Sequence, residues 1–254
     1  MLNSTLIIIP TYNESDNVEK VAAAVFASLP ETDILFVDDT SPDGTGEIIG
    51  RMATEDPRIH FIQREEKDGL GPAYIAGFRW ALEKPYTHVV QMDADLSHDP
   101  DALPDLLSAA RTHDVVIGSR YIDGIRIVNW PLSRLILSKG ASIYVRLVTG
   151  IPVVDPTSGY TCFGRQVLEA MNLDDMNASG YSFLVQLKHQ AWMLGFKLGE
   201  VPIIFFERRS GESKMNAAII REAVLVVWKI AFRFRFRRSP RQACHPQSVA
   251  AGSR

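Results

Sequence analysis

Asp93-Ala94-Asp95 follows the apolar run His88-Val89-Val90-Gln91-Met92. On an extended segment, residues two apart project to the same side, so both carboxylates can face one hard cation. Such a pair suits Mg²⁺ or Mn²⁺, with substrate phosphates completing the coordination. Asp99-Pro100-Asp101 repeats the spacing, but it straddles a proline at a helix start, where N-capping and first-turn dipole effects account for it. Asp93 and Asp95 are therefore the candidate metal pair. Two other apolar runs also end in polar residues. Leu6–Ile9 leads into Pro10-Thr11-Tyr12-Asn13-Glu14, where a ring could stack on a base and a carboxylate could accept from the base edge or ribose. The same stretch also reads as a helix start with Asn13 or Ser15 as N-cap. Ile34–Val37 leads into Asp38-Asp39-Thr40-Ser41-Pro42-Asp43-Gly44, which has turn chemistry and two adjacent carboxylates for ribose or base.

The second half supplies cations. Gly118-Ser119-Arg120 closes a fifth apolar run, Arg134 and Lys139 follow Pro131, and Arg208 and Lys214 flank Gly211. A strand end is a poor place for an idle guanidinium, which singles out Arg120. Two aspartates, a metal and convergent Arg/Lys suggest a diphosphate leaving group and a second anionic reactant. Other chemistries lose support. Lys67-Asp68-Gly69-Leu70-Gly71-Pro72-Ala73 opens a helix with small residues and admits a close phosphate or backbone, but Tyr74 breaks G-x-G-x-x-G and no Walker A loop is present. Ser97-His98-Asp99 cannot form a triad, since neighbours in sequence cannot reach one another as a triad requires. Cys162 and Cys244 form no C-x-x-C, and the six histidines form no H-x-H or H-E-x-x-H, against a disulfide framework and zinc hydrolysis.

These residues need a frame. The runs at 6–9, 34–37, 88–92 and 115–117, with a weaker one at 59–62, alternate with helix-length segments at 15–28, 45–55, 71–83 and 101–111. Continuous apolar strands alternating with helices predict an α/β fold with a mostly parallel sheet covered on both faces. Ligands of such sheets bind beyond the carboxyl ends of the strands. After residue 120 the alternation fades: a helix is expected from Trp130-Pro131 to about Val148, another over 179–194, a strand over 201–206 and a polar loop over 207–216. No repeat or linker interrupts the chain, so residues 1–216 read as one catalytic domain and 217–254 as a helical tail with a disordered end.

The 254 residues are 46% hydrophobic and 22% charged, which is ordinary for a globular protein. The net charge of −3 hides an asymmetry: seven Lys/Arg and no acid follow Glu222, leaving a net −10 on the 222 residues before them. No apolar run approaches the ~20 residues that span a bilayer. The N-terminus lacks the basic region of a signal peptide, so the chain is expected in the cytoplasm. In a helix from Met215, Ile220, Val224, Val227, Ala231 and Phe234 share one stripe, and Leu225, Trp228, Phe232 and Phe236 a second. Lys229, Arg233 and Arg237 form a basic edge. Such a helix suits a membrane interface, or it packs on the core with a solvated basic end. Nucleic acid is a poor partner for so acidic a body.

The chain resembles the family 2 inverting glycosyltransferases, and within them the dolichol-phosphate (polyprenol-phosphate) mannose synthases, from about Ile7 to Asn216. Besides the strand-end motifs above, the resemblance rests on Gly-Leu-Gly (69–71), Met-Asp-Ala-Asp-Leu-Ser-His (92–98), Gly-Ser-Arg-Tyr (118–121), Asn-Trp-Pro-Leu-Ser-Arg (129–134), Asp-Pro-Thr-Ser-Gly-Tyr (155–160) and Glu-Arg-Arg-Ser-Gly-Glu-Ser-Lys (207–214). It implies a GT-A-type, Rossmann-like domain that moves mannose from GDP-mannose to a polyprenyl phosphate at the cytoplasmic face of a membrane. It implies that Pro10, Tyr12, Glu14, Val37 and Asp39 hold the nucleoside. Asp93 and Asp95 would bind Mg²⁺ or Mn²⁺, with the Ala94 backbone near the sugar nucleotide. Arg120, Arg134 and Ser138 would take the lipid phosphate, and Arg208 and Lys214 would close over the diphosphate. Some relatives carry a glutamine ligand where Ser97 stands, so Ser97 or water would complete the metal site. The rival readings are a family 2 transferase using UDP-glucose or another nucleotide sugar, and a non-catalytic nucleotide-sugar-binding or membrane-adaptor module.

Overall fold

The computed structural model describes residues 4–176, 180–206 and 225–232. In chain order the elements are β1 (Thr5–Thr11), α1 (Val18–Ser28), β2 (Asp33–Asp38), α2 (Thr45–Glu55), β3 (Ile59–Gln63), α3 (Leu70–Leu82), β4 (His88–Gln91), α4 (Leu103–Ala109) and β5 (Val115–Ser119). The chain continues through β6 (Ile127–Val128), α5 (Leu132–Thr149), β7 (Thr161–Gly164), α6 (Arg165–Ala170), α7 (Gly180–Met193), β8 (Leu198–Pro202) and β9 (Phe205–Phe206). Residues 225–232 form a further helical segment.

Seven strands form one sheet in the order β3-β2-β1-β4-β7-β5-β8, while β6 and β9 pair separately. Leu6–Ile9, Ile34–Val37 and Val115–Ile117 are fully buried, because helices cover both faces of the sheet. Each such side chain removed from water stabilises the fold by about 1.5–3 kcal/mol. Val18, Val21 and Val25 of α1, Ile49 of α2 and Leu106 of α4 pack on one face. Tyr74 and Phe78 of α3, Val167 of α6 and Phe183 and Leu187 of α7 pack on the other. The α/β expectation therefore holds, and the five early strands form where the apolar runs place them.

Three features depart from the sequence reading. β7 runs antiparallel between β4 and β5, although residues 161–164 carry no strand signal beyond a short apolar run. Reversal brings the start of β7, and the loop before it, to the edge where the parallel strands end. The expected strand over 201–206 begins earlier, at Leu198, and breaks at Ile203-Ile204. Finally, β4 stops at Gln91, so Asp93 and Asp95 lie past the strand, and alternation along an extended chain does not set their relative directions.

The described part of the tail belongs to the core. Val227 and Ile230 are buried in the cluster that includes Val145 and Phe183. Leu225, Trp228 and Phe232 of the second stripe face outward and Val227 of the first is buried, while Ile230, which belongs to neither stripe, is buried as well. Phe236 and the arginines after residue 232 lie outside the described residues.

Candidate active site

The strand order reverses at β1, which pairs in parallel with both β2 and β4. A crevice opens beyond the carboxyl ends of the strands at such a switch point, and the candidate residues gather there. Parallel register sets Pro10 beside Val37 and Thr11 beside Asp38. The side chain of Val37 is buried in the core, so only its backbone can meet a ligand.

Asp38 and Asp39 divide their work. Asp38 is fully buried and accepts from Thr11 Oγ1 at 2.9 Å, Ser41 N at 2.9 Å and Ser41 Oγ at 2.6 Å. Those bonds hold the loop after β2. Asp39 instead accepts from Arg64 Nη1 at 2.7 Å and from the Gly69 amide. Burial pushes its carboxyl above the usual range, against the pull of Arg64. Gly69 (φ 94) thus serves the acid, and its conformation is one that only glycine adopts easily.

Helix α1 starts at Val18 with Asn17 as its N-cap residue, so neither Asn13 nor Ser15 caps it, and residues 12–16 are free to form the mouth of the site. Asn13 N donates to Ser41 Oγ at 3.0 Å, and Glu14 N to Thr45 Oγ1 at 2.9 Å. The Glu14 carboxylate accepts from Asn17 Nδ2 at 2.8 Å. Lys67 Nζ lies 3.3 Å from the centre of the Tyr12 ring. Lys67 thus brings a cation to this end of the crevice that the strand-end motifs alone did not reveal, while Arg64 is paired with Asp39 and Asp68.

Asp93 is partly exposed, and Asp95 lies on the turn that follows, where its Oδ1 accepts from Ser97 N at 3.0 Å. Leu96 takes a left-handed backbone (φ 59), uncommon for a residue with a branched side chain. The Tyr74 phenol, buried beneath, has its pKa raised first by burial and then by both Asp93 and Asp95. The two carboxylates therefore share one neighbourhood. Hard, acceptor-only oxygens at the switch point fit a divalent ion, and no cluster of three or more His, Cys, Asp or Glu able to hold a metal occurs among the described residues. Ser97 Oγ is buried without a hydrogen-bond partner among the described residues. His98 braces the backbone of Asp93. Its Nδ1 accepts from Asp93 N at 3.0 Å, its ring stacks on Tyr160 at 4.8 Å, and Phe205 packs edge-on at 5.6 Å. Asp99 accepts from Asp101 N at 3.0 Å and caps the turn Pro100–Ala102, as its sequence context predicts.

Arg120 follows β5 and is buried. Its Nε and Nη2 bind the two oxygens of Asp155 at 2.7 and 2.8 Å, and Nη2 also donates to Thr157 Oγ1 at 2.8 Å. Arg120 holds Asp155 below the usual carboxylate range against the burial that would raise it. Glu200 of β8 accepts from Val154 N at 2.6 Å and Asp155 N at 2.9 Å, fixing the chain that presents Asp155. Arg120 is thus an oriented half of a buried ion pair rather than a loose cation, and Asp155 and Glu200 went unassigned in the sequence. Ser138 Oγ accepts from the Tyr121 hydroxyl at 2.7 Å. Arg134 lies 4.1 Å over Trp130, whose ring meets Phe205 edge-on at 5.4 Å. One aromatic row, Trp130–Phe205–His98–Tyr160, therefore runs from Arg134 to the floor beneath Asp93. Arg208 and Lys214 lie outside the described residues.

Residues 6–171 match Glycosyl transferase family 2. An undecaprenyl-phosphate mannosyltransferase from Micrococcus luteus is 48% identical over 231 residues, covering 90% of this chain and 95% of that protein. A polyprenol monophosphomannose synthase from Mycolicibacterium smegmatis is 45% identical, covering 92% and 89%. The solved structure of a mannosyltransferase from Pyrobaculum calidifontis in complex with GDP-Man and Mn²⁺ superposes with a TM-score of 0.58 at 19% identity, covering 92% of this chain and 64% of that one. At that identity the likeness is one of fold.

Proposed function

The chain belongs to glycosyl transferase family 2 and is a glycosyltransferase; on that premise we propose that it transfers mannose from GDP-mannose to a polyprenyl (dolichyl-type) phosphate. The observation that carries this reading is the near full-length identity to the Micrococcus luteus enzyme. The crevice supports it, because it offers a nucleotide end at Tyr12, Glu14 and Asp39, carboxylates in the middle, and arginines at the far end.

In this reading a phosphate oxygen of the lipid attacks the anomeric carbon, the bond to the diphosphate breaks, and GDP leaves with the electron pair, inverting the centre. A monoester with its second pKa near ~6 is anionic at neutral pH, so it needs little from a general base. It needs charge and position, which Arg120 and Arg134 with Ser138 would supply. Asp155 holds the Nε/Nη2 edge of Arg120 and Trp130 carries Arg134, so both cations are oriented before the substrate arrives. Asp93 and Asp95 would hold Mg²⁺ or Mn²⁺, and the ion's charge would stabilise the departing diphosphate. Arg208 and Lys214 would close over that diphosphate.

Residues 1–216 would form the catalytic domain, and the tail 217–254, whose Val227 and Ile230 pack on that domain, would meet the cytoplasmic face of a membrane through its basic residues as a peripheral anchor. No described helix is long and apolar enough to cross a bilayer. Incubating the purified chain with radiolabelled GDP-mannose or UDP-glucose, Mn²⁺ or Mg²⁺ and a soluble prenyl phosphate tests the reading. Metal-dependent mannosyl-lipid is the expected product. Label from UDP-glucose alone favours the rival donor, and no transfer from either points to another nucleotide sugar or another acceptor.

A further inference from the structure

Lys188 is a buried charge for which the proposed reaction has no use. It lies on α7, fully buried, and its Nζ donates to the carbonyl oxygens of Ser158 at 2.6 Å and Leu184 at 3.2 Å. Lysines are almost never fully buried unless paired, and both oxygens that accept from this one are backbone carbonyls. Burial pushes its pKa down to about 7; Asp155 pulls it back up, Arg120 pushes it down, and Glu200 pulls it up. An apolar side chain of the same length would fill this space without desolvating an ammonium.

What Ser158 belongs to explains the arrangement. The loop 155–160 precedes the reversed strand β7 and reaches both ends of the reaction centre. At one end Asp155 and Thr157 grip Arg120. In the middle Ser158 Oγ donates to the Gly118 carbonyl at 2.6 Å. At the other end Gly159 lies so close to the metal pair that a Cβ there would stand 3.3 Å from His98 Cε1 and 3.8 Å from Asp93 Oδ1. Lys188 holds the midpoint of this loop to a helix packed through Phe183 on Tyr74.

We propose that Lys188 is a positioning residue: by anchoring the Ser158 carbonyl it sets the loop that holds Arg120 at the acceptor end in register with Asp93 at the metal end. The kinetic part of this inference rests on the mannosyl-transfer reading above. The structural part does not.

Lys188→Met removes the ammonium and keeps the length of the side chain. Its Tm is set by two opposing effects, the loss of a desolvated charge and the loss of the donor to the buried Ser158 carbonyl, at about 1–3 kcal/mol, so exchange and kinetics decide the role. Hydrogen exchange of the 158–160 amides is expected to accelerate, and the KM for a soluble prenyl phosphate to rise about tenfold as Arg120 loses its exact placement. The KM for GDP-mannose should stay within about twofold. Lys188→Gln keeps an N–H donor and is expected to fall between the two in both exchange and acceptor KM, and it serves alone should the methionine variant fail to fold. Unchanged exchange over 158–160 together with an unchanged acceptor KM, whatever the Tm does, overturns the inference. If the wild type moves no mannose to prenyl phosphate, the functional reading fails, while loop exchange still decides the role of Lys188.

Discussion

Asp93 and Asp99 stand six positions apart with the same side chain, and their surroundings give them different work. Asp99 spends a carboxylate oxygen on Asp101 N and caps a turn. Asp93 presents its carboxylate beside Asp95 over the buried Tyr74 phenol. Asp93→Asn and Asp95→Asn are therefore expected to lower turnover by about 10²–10³, the scale of removing one preorganised electrostatic partner, and to abolish Mn²⁺ binding by electron paramagnetic resonance. Asp101→Asn should leave both unchanged and cost under about 1 kcal/mol at the turn. Equal losses at all three positions would remove the metal assignment. Arg120 and Asp155 give a second contrast. Asp155→Ala leaves a guanidinium buried and unpaired, at about 3–5 kcal/mol. The apolar pair Arg120→Met/Asp155→Leu should recover most of that stability, since buried ion pairs are often replaceable by packed side chains, while acceptor turnover stays lost. Thermal melts beside acceptor kinetics separate the two effects, and recovery of turnover in the double variant would deny Arg120 its role with the phosphate.

At the level of elements, the residues at strand ends were legible because continuous apolar runs stop where polar residues begin, and such runs suit a sheet covered on both faces. β7 was not legible: Thr161-Cys162-Phe163-Gly164 is too short to show a period, and nothing local encodes its direction. Lys188 was hidden for a related reason. Gln186, Lys188, His189 and Gln190 are spread around α7, yet all are buried, because burial of a polar side chain depends on what tertiary packing lays over it. Close packing between elements also makes one substitution change sign with place. A Cβ on Gly77 of α3 would stand 2.8 Å from Ile8 Cγ2 of β1, whereas Gly140 of α5 has nothing within 4 Å. Gly77→Ala is expected to lower Tm through overpacking of about 1–3 kcal/mol, and Gly140→Ala to raise it by about 0.5–1 kcal/mol of helix propensity. Calorimetric melts of the two variants check both signs.

Across the whole molecule, charge and apolar exposure separate by region. No acid occurs between Asp123 and Asp155, while Arg126, Arg134, Lys139 and Arg146 do, and the chain after Glu222 is likewise free of acids. The two stretches adjoin in space, for the Trp228 side chain hydrogen-bonds the Tyr144 phenol of α5. Leu132 (69%), Ile136 (64%) and Leu147 (81%) are exposed on α5, as are Leu225 and Phe232 on the neighbouring segment. Apolar side chains edged by cations suit an anionic leaflet, and each Lys or Arg near it contributes about 1 kcal/mol. Burial of Val227 and Ile230 means that truncating the tail would open the core, so charge reversal is the cleaner probe. Arg233→Glu/Arg237→Glu/Arg238→Glu is expected to keep the wild-type Tm and to lose at least about 10² in partitioning to anionic vesicles. It should keep activity on a short soluble prenyl phosphate and lose it on a membrane-embedded one, because the strand-end residues are untouched. Co-sedimentation with anionic and neutral vesicles at physiological salt measures the difference. If the reversal leaves partitioning unchanged, the tail is a core helix with a solvated basic end, and the lipid must reach Arg134 without its help.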